Sequence, residues 1–292
     1  MSASRPDAPC PACGSSRTET HAYRCRAKGA HFGRETNFHC CTSCGFMFAA
    51  QNAHHYDSAK DFGKGSKPGR THLRVGTERR PGREYAMAVM AKEILDLAGT
   101  SARSILIYGP GLSLDHAHLA RKYPDIRVFV SDLQNFQGHA NFISLESDAQ
   151  FDIVIVCEVA EHFTSPKEDF ARLLSKLSPT GIVVLSTNIN DGGDIRDQEY
   201  PFVPGHTAYY SGRALFSLVN AADSRLLVDF RVPRAALAQL GHQKRYVLIH
   251  RQETARGISD YFSSHLLAPS EAPYFRIGLS RKFAWVKRLL RR

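Results

Sequence analysis

Residues 151–163 read FDIVIVCEVAEHF, and this stretch decides the fold. Its first seven residues form an apolar run of strand length that is interrupted only by Asp152, as expected for a central parallel strand buried on both faces. The run ends in a cluster of ionisable residues, Glu158, Glu161 and His162. Because ligands of open α/β sheets bind beyond the carboxyl ends of the strands, this end of the strand is a predicted site.

Strands and helices alternate on both sides of this central strand. The pattern predicts an α/β fold with a doubly wound, Rossmann-like sheet that is mainly parallel and carries helices on both faces. We expect a turn at 178–181. The predicted strands are 104–108, 128–130, 182–186, 226–230 and 246–250, and the predicted helices are 83–98, 114–123, 166–177, 211–222 and 258–267.

A glycine turn follows the first strand of this domain. Gly109, Pro110 and Gly111 lead from that strand into the next helix, which lets the backbone approach a ligand at a helix N-terminus. Asp132 follows the second strand, at the position from which an acid bonds ribose hydroxyls. Together the two features predict a cofactor that contains a ribose.

Two Cys-x-x-Cys pairs, 27 residues apart, lie within residues 1–50. Four thiolates with this spacing are typical of a structural zinc ribbon, and four cysteine ligands leave no open position for chemistry. Cys25 and Cys40 keep the choice of ligands open. The predicted zinc ligands are Cys10, Cys13, Cys41 and Cys44.

The net charge of +10 is concentrated at one end, because residues 276–292 contribute +7 and contain no acid. A wide nucleic-acid-binding face is therefore not indicated. Residues 51–84 are predicted to form a linker or lid, and residues 251–292 a helical extension. The basic amphipathic end of that extension either contacts an anionic membrane or docks on the protein. No run reaches the roughly 18 to 20 apolar residues of a transmembrane helix, so we expect a cytoplasmic protein.

Over about residues 85–250 the chain resembles the class I S-adenosylmethionine-dependent methyltransferases. The resemblance rests on the glycine turn, Asp132, FDIVIVCEVAEHF, LLSKLSPTGIVVLSTN at 173–188 and HTAYYSGRALFSLVNAA at 206–222. It implies a methyltransferase domain at 85–250. It also implies S-adenosylmethionine as cofactor, with Gly109, Pro110, Gly111, Asp132 and Glu158 as its binding residues.

Two positions depart from this family pattern. Ile107 stands where an acid usually helps to hold the methionine end of the cofactor, and Ser113 stands where a third glycine is usual. A degenerate methyltransferase fold that serves as a binding module is therefore one alternative function.

The Glu-x-x-Glu-His motif also resembles that of the small-RNA 3′-terminal 2′-O-methyltransferases, in which a histidine after the fifth strand completes a divalent metal site. His206 occupies that region here. If residues 158–162 begin a helix, Glu158, Glu161 and His162 share one face. The resemblance then implies a Mg or Mn site formed by Glu158, Glu161, His162 and His206.

Two further interpretations of the motif stay open: metal-free catalysis with His162 or His206 as general base, and a purely structural role. The ribbon in front resembles a fusion found in bacterial methyltransferases of sugars and other small molecules. The resemblance therefore implies O-methylation of a small hydroxylated acceptor, such as a sugar or glycan precursor, with RNA as the alternative acceptor. The predicted catalytic residues are Glu161, His162 and His206.

Overall fold

The computed structural model describes residues 9–26, 32–53, 75–135, 137–190, 192, 195, 202–231 and 244–265. Most of the predicted linker and the predicted basic tail lie outside these ranges. Within them, the strands are β1 Thr18–Arg24, β2 Glu35–Cys41, β3 Met47–Phe48, β4 Ser104–Tyr108, β5 Arg127–Ser131, β6 Phe151–Cys157, β7 Leu177–Asn190, β8 Ala208–Ser211, β9 Leu227–Arg231 and β10 Lys244–His250. The helices are α1 Arg83–Leu97, α2 Asp115–Lys122, α3 Pro166–Ser175, α4 Gly212–Ala222 and α5 Ala255–His265.

The sheet has the predicted Rossmann-like architecture. Strands β5, β4, β6 and β7 lie side by side and are parallel, and β10 and then β9 continue the sheet beyond β7 in antiparallel pairs. Apolar residues of α3 and α4 pack on one face of the sheet, and those of α1, α2 and α5 pack on the other. The central strand β6 is covered on both faces, which explains its unbroken apolar sequence.

The N-terminal ribbon is joined to this sheet by backbone hydrogen bonds. Its strands β1, β2 and β3 form an antiparallel ladder, and β3 then pairs with β8 in the register Met47↔Tyr209 and Phe48↔Ala208. Because β8 is also the parallel neighbour of β7, the ribbon extends the same sheet. An aromatic cluster that includes Tyr23, Phe38 and Phe202 fills the space behind it.

The predicted turn at 178–181 is wrong. These residues belong to β7, whose pairing with β6 shifts from Phe151↔Leu177 to Ile153↔Ile182 through an irregularity. Gly181 lies against the backbone of β6, since a Cβ at this position would be 2.8 Å from the carbonyl oxygen of Asp152. The Ser-Pro-Thr-Gly sequence therefore forms a distorted strand start instead of a reversal.

None of the helices in the described ranges is both long enough and apolar enough to span a membrane.

Candidate active site and metal centre

The four predicted zinc ligands come together in the ribbon. Their sulfur atoms all lie within 4.8 Å of one another, with 3.7 Å between Cys10 Sγ and Cys44 Sγ and 3.6 Å between Cys13 Sγ and Cys41 Sγ. Four thiolates bound to one tetrahedral zinc ion at about 2.3 Å would be about 3.8 Å apart, so the cluster fits such an ion. Among the described residues, no other three or more histidine, cysteine or acidic side chains converge in this way.

A glycine closes the turn formed by each Cys-x-x-Cys pair. Gly14 N–H donates to the carbonyl of Cys10, and Gly45 N–H donates to that of Cys41, with positive φ angles of 76° and 72° that favour glycine. The hydrogen bond between Cys10 and Cys44 lowers the pKa of Cys10 to about 5 and raises the pKa of Cys44. Cys10 is thus shifted toward the thiolate that a metal requires, whereas burial raises the pKa of Cys13.

The two alternative ligands do not belong to this group. Cys25 is buried among the aromatic residues behind the ribbon, and Cys40 packs at the margin of the same cluster, where burial raises the pKa of its thiol.

The glycine turn lies between the ends of β5 and β6. Gly109 N–H donates to the carbonyl of Ser131 at 2.7 Å, and Gly109 and Gly111 have φ angles of 71° and 54°. A Cβ at Gly109 would lie only 2.6 Å from Val159 Cγ2. Conformation and packing therefore both require glycine at this position, and the turn abuts the segment that follows β6.

Asp132 lies beside this turn, as its position after β5 predicts. Its Oδ2 accepts a hydrogen bond from Gly111 N–H at 3.1 Å, and its Oδ1 accepts one from Leu133 N–H at 2.7 Å. Burial nevertheless raises the pKa of this carboxyl. The acid is therefore held at the rim of the glycine turn and partly removed from solvent.

The two departures from the family pattern have different consequences. Ile107 is fully buried in the core on the side of α1, so it presents no polar group at the turn. Ser113 is also buried, and its hydroxyl oxygen accepts hydrogen bonds from Gly76 N–H and Asp115 N–H, each at 3.3 Å. Ser113 thus connects the glycine turn to the segment that precedes α1.

Sequence reasoning missed two buried acids at this junction. Asp115 is fully buried and accepts hydrogen bonds from Gly82 N–H at 2.6 Å and Tyr85 N–H at 3.1 Å, which fixes the start of α1. Glu84 is buried beside it. Burial and then the charge of Asp115 raise the pKa of Glu84 well above its ordinary range. In the sequence, Glu84 and Asp115 each lie in the first turn of a predicted helix, and this position was the available signal for a role at the helix start.

Residues 158–162 do not begin an α-helix, contrary to the expectation that placed Glu158, Glu161 and His162 on one face. Only 160–162 form a short 3₁₀ turn, and Glu158 has a φ angle of +58°, which is uncommon for a residue with a side chain. Such conformations are concentrated at functional sites.

Glu158 forms an ion pair that sequence reasoning missed, since Arg83 carried no motif. Arg83 Nη1 lies 3.4 Å from Glu158 Oε2, and the Ser186 hydroxyl donates to Glu158 Oε1 at 3.0 Å. Val159, the next residue, is the one that contacts Gly109. A positive and a negative group therefore lie together close to the glycine turn.

The structure brings His162 and His206 together. Their ring centroids are 4.9 Å apart and the rings are nearly perpendicular. His162 Nδ1 lies 2.8 Å from the carbonyl oxygen of Gly205. Because a carbonyl can only accept, Nδ1 carries the proton and a neutral His162 has its lone pair on Nε2.

Glu161 belongs to the same turn but has other partners. Its carboxylate accepts from the Thr187 hydroxyl at 3.3 Å, and its carbonyl accepts from Thr207 N–H at 2.8 Å. No three of the residues Glu158, Glu161, His162 and His206 bring ligand atoms within 4.8 Å of one another.

A family model described as a methyltransferase domain matches residues 82–227, which is half of the chain. No curated protein matches the chain. Among solved structures, human N-acetylserotonin methyltransferase in complex with S-adenosylmethionine is similar at 14% identity and a TM-score of 0.40, over 56% of this chain and 51% of that one. The chain thus spans about half the length of that enzyme.

Two bacterial structures from Burkholderia thailandensis are also similar. One is the 1,6-didemethyltoxoflavin-N1-methyltransferase with bound 1,6-didemethyltoxoflavin and S-adenosylhomocysteine, at 19% identity and a TM-score of 0.41, over 57% of this chain and 79% of that one. The other is an O-methyltransferase family protein, at 14% identity and a TM-score of 0.43, over 56% and 55% of the two chains.

Proposed function

The chain belongs to the methyltransferase family whose domain model spans residues 82–227, and we propose that it transfers a methyl group from S-adenosylmethionine to an oxygen of a small hydroxylated acceptor. A sugar or glycan precursor is the acceptor class that we propose first. The observation that carries this proposal is the His162–His206 pair beyond β6, with His162 in a defined tautomer.

The residues around the glycine turn fit the cofactor. Gly109 and Gly111 both have positive φ angles, and with Pro110 they form a turn whose backbone a ligand can approach. Asp132, held at the rim of the turn, is proposed to accept hydrogen bonds from the ribose hydroxyls. When bound, S-adenosylmethionine supplies an electrophilic methyl group.

We assign the amino-acid end of the cofactor to Arg83 and Glu158. That end carries an ammonium and a carboxylate, and the Arg83–Glu158 ion pair offers the complementary charges. Glu158 directly precedes Val159, which packs against Gly109 in the glycine turn. This arrangement would compensate for Ile107, which contributes no charge.

The acid–base step is assigned to the histidine pair. His162 would accept the proton of the acceptor hydroxyl at Nε2, because its Nδ1–H is directed to the carbonyl of Gly205. His206 packs against that ring and would restrict its orientation. Glu161, hydrogen-bonded through its carbonyl to Thr207 N–H, would hold the turn that carries His162.

A divalent Mg or Mn site at Glu158, Glu161, His162 and His206 is the second proposal for this region. Carboxylates and imidazoles of neighbouring residues support it, and such an ion would lower the pKa of a bound hydroxyl. The separate partners of Glu158 and Glu161 favour the metal-free assignment. The cysteine cluster is proposed to hold structural zinc.

Two other functions compete with this proposal. A binding module without catalysis is favoured by Ile107, whereas RNA 2′-O-methylation gains little support from a net charge that is concentrated in residues 276–292. The predicted membrane contact of the basic C-terminal segment stays a prediction.

The test is titration of the purified protein with S-adenosylmethionine after chelation, alone and with added Mg or Mn, followed by methyl transfer from labelled cofactor to a panel of sugars, sugar nucleotides and RNA. We expect binding without added metal and transfer to one hydroxylated small molecule, with transfer lost in His162→Gln. His21→Gln, which changes an exposed ribbon histidine paired with Glu19, is the matched control. No binding under any condition would overturn the enzyme assignment.

A further inference from the structure

The segment that leaves the ribbon is bound to the turn that carries His206. Asn52 is 3% exposed, and its side-chain Nδ2 donates to the carbonyl oxygens of Phe202 at 3.1 Å and His206 at 3.2 Å. Its own carbonyl accepts from Gly205 N–H at 2.8 Å. One buried asparagine thus makes three hydrogen bonds to residues 202–206.

The remaining atom of this amide has a different environment. Asn52 Oδ1 is buried and meets no hydrogen-bond donor among the described residues. The amide is therefore oriented by the two carbonyls of the turn alone. Leaving this buried carbonyl oxygen without a donor costs free energy, which the hydrogen bonds donated by the NH₂ group must offset.

Hydrogen bonds connect this turn to the proposed reaction site. The carbonyl of Gly205, next to the residue that Asn52 holds, accepts from His162 Nδ1. Thr207 N–H donates to the carbonyl of Glu161, and the Thr207 hydroxyl donates to Phe163 at 2.6 Å. Gly205 and Thr207, which flank the residue whose carbonyl Asn52 holds, are thus hydrogen-bonded to residues 161–163.

The cysteine cluster itself is attached to the same region. The Ser211 hydroxyl donates to the carbonyl of Cys44, and Asn190 Nδ2 donates to the carbonyl of Gly45 at 3.1 Å. Ala49 N–H donates to the carbonyl of Thr207 at 2.8 Å. The second Cys-x-x-Cys pair and the segment after it are thus hydrogen-bonded both to the end of β7 and to the β8 region.

We propose that the cysteine-held ribbon is a positioning element for methyl transfer, in which Asn52 fixes the 202–206 turn so that His206 stays against His162. This inference rests on the proposed function, because it assigns a role at the same site. Asn52 touches neither cofactor nor acceptor in this proposal and acts through the turn.

The experiment compares full-length, metal-loaded wild type with Asn52→Ala, Asn52→Leu and the control Gln51→Ala. Gln51 is exposed, lies in the same 3₁₀ turn and donates to Asn37 within the ribbon, so its loss removes an amide without touching residues 202–206. Asn52→Leu keeps a branched side chain of similar size, removes both donated bonds and adds no charge, which retains a folded variant if the alanine change disturbs packing.

Four quantities are measured: the ¹⁵N ring signals of His162 and His206, amide exchange at Gly205 and Thr207, zinc content, and binding of S-adenosylhomocysteine. We expect the Asn52 variants to shift both ring signals and to speed exchange at the two amides roughly tenfold. Zinc content and S-adenosylhomocysteine affinity should equal those of Gln51→Ala, a combination that general destabilisation would not produce.

Ring signals and exchange rates that match the control in both Asn52 variants would overturn the inference. Absence of S-adenosylhomocysteine binding in the wild type would instead overturn the proposed function, so the two failures are distinguishable.

Discussion

Val159 Cγ2 occupies the space that a Cβ of residue 109 would need, at 2.6 Å from its ideal position. This contact joins the end of β4 to the segment after β6, across the edge where the cofactor is proposed to bind. The glycine turn and the Glu158 region are thus a single packed unit, and a change on one side is transmitted to the other.

Gly109→Ala should destabilise the protein and weaken cofactor binding. The left-handed backbone and the clash with Val159 would together cost about 3 kcal/mol or more. Gly99→Ala is the matched control, because Gly99 has a φ angle of 76° and open space around its Cβ position. It should cost about 1 kcal/mol and leave S-adenosylhomocysteine affinity unchanged. Thermal unfolding and calorimetric titration measure both effects, and equal losses in the two variants would contradict the role of the contact.

Arg83→Gln and Glu158→Gln should separate the two ends of the cofactor. Loss of one charge-assisted contact predicts roughly a 10- to 100-fold lower affinity for S-adenosylhomocysteine. Affinity for 5′-methylthioadenosine, which lacks the amino-acid end, should change little. Arg225→Gln, which alters an exposed arginine paired with Asp223, controls for charge. Equal weakening of both ligands would indicate that the ion pair shapes the site without contacting the amino acid.

The central part of the fold was predictable from the sequence because its signals are local. The apolar run 151–157 and the run 104–108 form strands with the predicted bounds, since both are buried on two faces. The two Cys-x-x-Cys pairs likewise identified the four converging thiols. By contrast, Ser-Pro-Thr-Gly at 178–181 has the composition of a turn, and only its pairing with β6 makes it a strand.

The parts of the site that escaped prediction depend on contacts between distant segments. Arg83 meets Glu158 across 75 positions of the sequence, and Asn52 meets Phe202 across 150. Neither residue has a repeating pattern or a motif around it. The left-handed conformation of Glu158 also has no signal in its residue type, because glutamate rarely adopts it.

Cys44→Ser should remove the metal from the ribbon. A tetrahedral site with three thiolates binds zinc more weakly, and metal binding to the folded ribbon contributes to its stability, so the melting temperature should fall. Cys40→Ser is the control, because Cys40 lies on β2 outside the four-cysteine group. Metal analysis after dialysis should give about one zinc per chain for wild type and control and a clear loss for Cys44→Ser. Equal metal content in both variants would contradict the assigned ligands.

Glu84→Gln should stabilise the protein in a pH-dependent manner. Burial, followed by the charge of Asp115, raises the pKa of Glu84 in the folded state well above its ordinary value of 4.5. The folded state therefore binds this proton more tightly than the unfolded state, and the stabilisation is complete below about pH 4.5 and is lost as the pH rises through the raised pKa.

Glutamine mimics the protonated carboxyl, so the variant should melt several degrees higher than wild type at neutral pH and at nearly the same temperature in acid. Glu93→Gln, on the same helix but only half-buried, is the matched control for the substitution itself. Melting temperatures measured from acid to neutral pH test this prediction. Parallel curves for Glu84→Gln and wild type would contradict it, because they would mean that Glu84 titrates equally in the folded and unfolded states.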